Sequence, residues 1–267
     1  MPSSDSATSS SIQGTTNSFE QEFIVGKYPK SFTIMKPSLS QHSPWFAALY
    51  GRRDSAIDAD SKSAKAATDA TKDVEFSETN ALVFPDMDVF AFPLLVKWLP
   101  TGQLDMPEGI SDGFHAATHV LNLYLIATKF MIEPLCNQVM DVMRRWFREN
   151  DTTASPFRVQ TIYDGTTGDN KMRKFLIMTA AYRALCGSKN PNNSQWANGV
   201  SDSMKKLLRP GGDLAVDYCE ALVFLATHDL EDPRQGEDCF WHDHEDSPVC
   251  TPAASPEPWD PAGVALE

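Results

Sequence analysis

The stretch 84–104, FPDMDVFAFPLLVKWLPTGQL, constrains the chain more than any other. Phe92, Leu95, Val96 and Leu99 fall at i, i+3, i+4 and i+7, the spacing of one helical face. Leu94 and Trp98 widen that face, so only Ala91 and Lys97 are expected to meet water. A helix this apolar has to be covered by other elements. Asp88 suits an N-cap, because its carboxylate can accept from the unpaired amides of the first turn. Thr101-Gly102 suits the end, with Gly102 free to take the left-handed conformation. Pro93 conflicts with a single straight helix, since an interior proline costs roughly 3 kcal/mol. Either the helix bends there, or it begins later with Pro93 in its first turn.

The flanking chain supplies the cover. Residues 1–18 are rich in Ser and Thr and nearly free of apolar side chains, and are expected to be disordered. Residues 22–25 and 31–35 have strand character, with Gly26-Lys27-Tyr28-Pro29-Lys30 as a hairpin turn. Pro37 and Pro44 each suit a first helical turn, Ser43 capping the second, with Leu39, Trp45, Phe46 and Leu49 facing inward. Residues 52–72 lack an apolar stripe and are expected to form a flexible insertion. Strand character returns at 74–76 and 81–84. Residues 115–130 form a second apolar helix, and Glu133-Pro134 opens a third with Leu135, Val139, Val142 or Met143, and Trp146 on one face. Arg144, Arg145 and Arg148 lie where cations complement the carbonyl end of that helix.

Residues 151–230 are expected to form a helical extension, with helices from Ser155-Pro156, over 172–185 and over 214–228, and a polar turn at 189–198. From 229 to the end there are eleven acidic residues against Arg234 alone. That segment carries most of the net charge of −13, and 231–267 is expected to be an acidic, proline-rich disordered tail. The near-neutral remainder has no Lys/Arg cluster, which argues against nucleic acid as a partner. Five scattered cysteines form no disulfide framework, the first residues have no signal-peptide pattern, and no apolar run is long enough to span a bilayer. The expectation is an intracellular protein, cytoplasmic or nuclear, with no membrane partner.

Cys239, His242, His244 and Cys250 are the one group of metal-ligand types, four within twelve residues. Their spacing, Cys-x2-His-x-His-x5-Cys, is not a usual zinc pattern, and histidines two apart need a bent backbone to face one point. The simpler reading is preferred: Phe240 and Trp241 pack on the helical extension, and neither a metal nor a cofactor is assigned. His115 and His119 read as surface or rim histidines, and Asp86 and Asp88 as a turn and a cap. No phosphate loop, nucleophile elbow or metalloprotease motif occurs, so no catalytic residue is assigned and the chain is read as no enzyme.

Several stretches resemble one family. The order strand, turn, strand with Phe32-x-Ile34, short helix, then Ser43-Pro44-Trp45-Phe46 is similar to a BTB/POZ domain. So are Trp98-Leu99-x-Thr101-Gly102 and Leu123-Tyr124-x-x-Ala127-x-Lys129-Phe130. Pro100 and Pro93 depart from the family pattern. The layout of 151–230, with Ile162-Tyr163 and an arginine-containing helix, resembles BTB proteins of filamentous fungi. The resemblance implies an α+β, BTB/POZ-like domain over 19–150, a small sheet on a cluster of helices. It implies a non-catalytic protein–protein interaction module, self-associating as a homodimer through Phe23, Ile24, Val25, Leu39, Trp45, Phe46 and Leu49. The alternative it implies is a substrate adaptor that binds a cullin scaffold, although no second recognition domain is present.

Overall fold

The computed structural model describes residues 19–51, 62–71, 74, 76–105, 114–186, 199–228, 230–236 and 238–250. Strands β1 (Glu20–Val25) and β2 (Lys30–Met35) form an antiparallel hairpin that pairs Phe23 with Phe32 and Val25 with Lys30. Gly26 turns the chain at φ +89, and a Cβ there would lie 3.3 Å from Val89 Cβ, so glycine suits both the angle and the space. Strand β3 (Leu82–Phe84) adds parallel to β1, giving the order β2-β1-β3. Of the strand expected at 74–76, an isolated bridge from Phe76 to Leu82 is described.

The sheet is joined by helices α1 (Lys36–His42), α2 (Pro44–Gly51), α3 (Lys62–Ala70), α4 (Phe92–Trp98), α5 (Phe114–Lys129) and α6 (Glu133–Glu149). The class is α+β. Ser43 caps α2, accepting from the Phe46 amide at 3.1 Å, while its hydroxyl donates to the Phe130 carbonyl at 2.5 Å. Helix α4 begins at Phe92 with Pro93 in its first turn, so the proline loses no intrahelical bond and no bend is needed. Asp88 does not cap α4 directly. Its carboxylate accepts from the Phe90 and Ala91 amides, at 2.7 and 3.3 Å, closing the turn that feeds the helix. Gly102 takes φ +64 and donates to the Trp98 carbonyl at 2.8 Å, ending the helix as expected. Ala91, expected at the surface, is buried.

One aromatic cluster holds these elements together. Phe23 meets Phe46 and Phe92 at ring-centroid distances of 5.7 and 5.3 Å, and Phe130 meets Phe46 at 4.6, Trp45 at 5.2 and Phe84 at 5.5 Å. Each of these rings except the partly buried Phe84 is fully or nearly fully buried, worth about 1.5–3 kcal/mol in transfer free energy. The insertion expected to be flexible contains α3, which packs on α2 with Ala67 fully buried; 52–61 lies outside the described residues.

The extension contributes α7 (Pro156–Gly165), α8 (Lys171–Cys186), α9 (Asp202–Leu208) and α10 (Asp213–Thr227). Ser155 caps α7, the Asn170 side chain accepts from the first α8 amides, and Ser201 caps α9, a helix the sequence pattern did not announce. The turn expected at 189–198 lies outside the described residues, as do 1–18 and 251–267. Residues 231–250 correct another expectation: nearly all are placed against α6 and α8, with Trp241 buried beside Phe175 at 5.2 Å. No helix among the described residues is long and apolar enough to cross a membrane.

Candidate functional site

Helix α6 has two faces. Leu135, Val139, Met143 and Phe147 are buried in the core. Glu133, Asn137, Asp141 and Arg144 recur every three or four residues along another side, and each holds part of the segment 231–250. The Glu133 carboxylate accepts from the Glu245 and Asp246 amides at 2.9 and 3.0 Å and from the Ser247 hydroxyl. Asn137 makes a two-way bond with the Asp243 backbone, at 2.8 and 3.0 Å. Asp141 contacts His242 Nε2 at 2.8 Å. Arg144 is buried and donates to the carbonyls of Gln235 and Gly236, at 2.9 and 3.2 Å, rather than complementing the end of its own helix. Arg234 returns the favour from the segment side. Its guanidinium meets Asp232 and Asp151 and donates to the carbonyls of Phe147 and Thr152 at 3.3 and 3.0 Å.

This docking brings the Cys/His group together. A 3-10 turn over Asp238–Trp241 carries Cys239, bends at 245–247 reverse the chain, and Cys250 returns to the same point. Ligand atoms of Cys239, His244 and Cys250 all lie within 4.8 Å of one another. His244 Nε2 is 3.4 Å from Cys239 Sγ and 3.6 Å from Cys250 Sγ, while His242 Nδ1 is 3.1 Å from Cys250 Sγ. The two histidines, two positions apart, both reach Cys250 Sγ by using different ring nitrogens, Nδ1 of His242 and Nε2 of His244. Each remaining nitrogen has its own partner: Asp141 for His242 at 2.8 Å, and the Ser247 hydroxyl for His244 at 3.5 Å. Burial and the neighbouring Cys239 push the Cys250 thiol above its ordinary value. The simpler reading of this stretch holds for Trp241, but Phe240 is exposed beneath Lys171 and Lys174.

The residues expected to form a dimer interface are placed differently. Phe23, Val25, Leu39, Trp45, Phe46 and Leu49 are all buried within one chain, and Ile24 is half-buried. The buried six belong to the core that joins sheet to helices, Phe23, Trp45 and Phe46 through the aromatic cluster, while Ile24 keeps some exposed area. The apolar residues that do face water include Val216, Val223 and Phe224 along α10, 56%, 64% and 44% exposed.

Asp88 and His119, read as a cap and a rim histidine, are partners. His119 Nδ1 lies 2.7 Å from the Asp88 carboxylate, and Asn122 donates to it at 2.5 Å. Burial works against ionisation here, yet the bonds from Asn122, His119 and Phe90 hold the Asp88 carboxyl below its ordinary value. The His115 side chain lies outside the described residues. An open cleft of about 1140 Å³ runs past Asp88, Asn122, Ile126 and Lys129, with Trp45 and Phe84 on its wall. The Asp88 carboxylate in it is already tied to four partners, so it is a strut of the loop before α4 rather than a free base.

Sequence reasoning missed two buried arginines besides Arg144 and Arg234. Arg173 donates to the Thr166 hydroxyl at 2.8 Å and to the carbonyls of Tyr163 and Thr166, and stacks 4.5 Å over the Tyr163 ring. Arg158 lies 4.9 Å over the Trp146 ring. Arg158 stands between Phe157 and Val159, a signal that could have found it, whereas Arg173 sits between Lys171 and Lys174 in a stretch that reads as a solvated helical turn. No family model matches the chain, and no curated protein matches it.

Proposed function

We propose that the chain is a non-catalytic protein–protein interaction module of the BTB/POZ type, acting by self-association. The observation that carries this reading is the convergence of the resemblance-bearing residues. Trp45-Phe46 from α2, Trp98-Leu99 at the end of α4 and Leu123, Tyr124 and Phe130 from α5 and its end come from three separate stretches and belong to one core. Such a module works through its surface, and the six buried residues are not that surface. The exposed line of α10 suits the role better. Between Val216 and Val223 its acidic and thiol side chains are Asp217, half-buried and bonded to the Tyr163 hydroxyl, the Cys219 thiol and the exposed Glu220.

Size-exclusion chromatography with light scattering on the full chain tests the reading. The expected result is the mass of two chains at micromolar concentration, shifting to one chain in a Val223→Asp variant. A wild-type chain that stays monomeric at high micromolar concentration would sink it.

A further inference from the structure

We propose that Cys239, His242, His244 and Cys250 bind a zinc ion that rivets the segment 238–250 to helix α6. The inference is independent of any partner the chain has. Zinc–sulfur bonds of about 2.3 Å and zinc–nitrogen bonds of about 2.0–2.1 Å in a tetrahedron put neighbouring ligand atoms roughly 3.3–3.8 Å apart. The distances from His244 Nε2 to the two sulfurs, 3.4 and 3.6 Å, fall in that range, and the His242 Nδ1 to Cys250 Sγ distance of 3.1 Å is close to it. Cys239, His244 and Cys250 are mutually close, while His242 Nδ1 touches Cys250 alone and would close in on the other two as the fourth donor when the ion binds.

The surroundings also fit a metal. A zinc-ligating histidine usually gives its other ring N–H to a carboxylate, a carbonyl or water. Asp141 stands at 2.8 Å from His242 Nε2, which fixes that N–H there and leaves the Nδ1 lone pair for the ion. Ser247 takes the corresponding place beside His244 Nδ1, at 3.5 Å. Two thiolates cancel the charge of the ion, so the bound centre is neutral. Four protein donors leave no open position, which makes the site structural rather than catalytic. Binding releases the two thiol protons to solvent, so affinity weakens as pH falls.

The test uses the full chain, purified with a phosphine reductant, loaded with zinc and dialysed. Elemental analysis should find about one zinc per chain. Cys239→Ser and Cys250→Ser should each remove most of it, whereas Cys219→Ser, on the exposed side of α10, should not. Asp141→Asn, which keeps the ligands and alters only the positioning of His242, should weaken zinc about 10–100-fold. Cobalt(II) loaded in place of zinc should show thiolate-to-metal absorption that Cys250→Ser abolishes. A wild-type chain that is folded by circular dichroism yet free of zinc would overturn the proposal. So would a Cys239–Cys250 disulfide persisting under these conditions, or zinc retained by the double cysteine variant. Variants that fail to fold leave the question to the wild type, where chelation should reversibly speed proteolysis within 238–250, and unchanged cleavage counts against the site.

Discussion

The aromatic core beneath the sheet and the segment 231–250 both rest on helix α6, but by opposite means. The core side uses buried Leu135, Val139, Met143 and Phe147 against other rings and aliphatic chains. The segment side uses Glu133, Asn137, Asp141 and Arg144, nearly all of them reaching backbone groups or a histidine. Apolar burial is non-directional and scales with area, so the first attachment depends on how many side chains are covered. Polar attachment is directional, and each bond nets only about 0.5–1.5 kcal/mol, rising to about 1.5–3 where a charge takes part. One helix therefore has a side that is costly to disturb anywhere and a side that can be released one bond at a time.

That contrast can be broken most forcefully at Phe46. Phe46→Ala leaves a cavity between Phe23 and Phe130, and should cost about 3–5 kcal/mol in urea unfolding of the whole chain. Next comes Arg234→Met. It strips donors from the carbonyls of Phe147 and Thr152 and removes the guanidinium from Asp232 and Asp151, and a loss of about 2–3 kcal/mol is expected. Limited proteolysis should show cuts in 231–250 before any in α5 or α6; simultaneous cutting would mean the two sides are not separable.

Asp88→Asn is a smaller effect, about 1 kcal/mol near neutral pH, since it weakens a turn closed by a side chain. Its pH signature is sharper. The folded carboxyl lies below its ordinary value of 3.8, so its contribution is complete above that value and disappears as pH falls through the lower, folded one. Acid titration of stability should therefore be steeper in the wild type than in Asp88→Asn over that window. Smallest of all, Glu133→Gln should cost under about 1 kcal/mol, because its one oxygen still accepts from both backbone amides and its NH2 can donate to the Ser247 oxygen. Hydrogen exchange at the Glu245 and Asp246 amides is the measurement, with faster exchange there and none elsewhere.

The same division explains what could be read before the coordinates. Periodic apolar residues announced α4, α5, α6 and α8, and punctuation by Ser43-Pro44, Ser155-Pro156 and Gly102 placed their ends within a few residues. The hairpin followed from Gly26 between two β-type runs. Helix α3 was missed because its buried contact is the small Ala67, too slight to mark a stripe. Residues 231–250 were misread because side-chain-to-backbone bonds leave no period, and acidic, proline-bearing composition reads as solvated chain. The interface residues follow from a family habit, and six of the seven are buried in the core of the single chain, a use of the same side chains that sequence alone does not distinguish from an interface. The Cys/His group was named in full from the sequence. What spacing could not supply was the turn at Asp238–Trp241 and the choice of ring nitrogens.

Trp241 gives the docked segment a role in the interior as well as at the rim. Its indole is walled in by Phe175, and two carbonyls from this segment are what Arg144 donates to. Shortening the chain to end near 230 would thus open a hole at the α8 face and take two carbonyl acceptors from Arg144. Fragments meant for crystals or binding assays are best cut after Cys250, and a shorter piece that clumps in solution would report that missing plug rather than any natural stickiness.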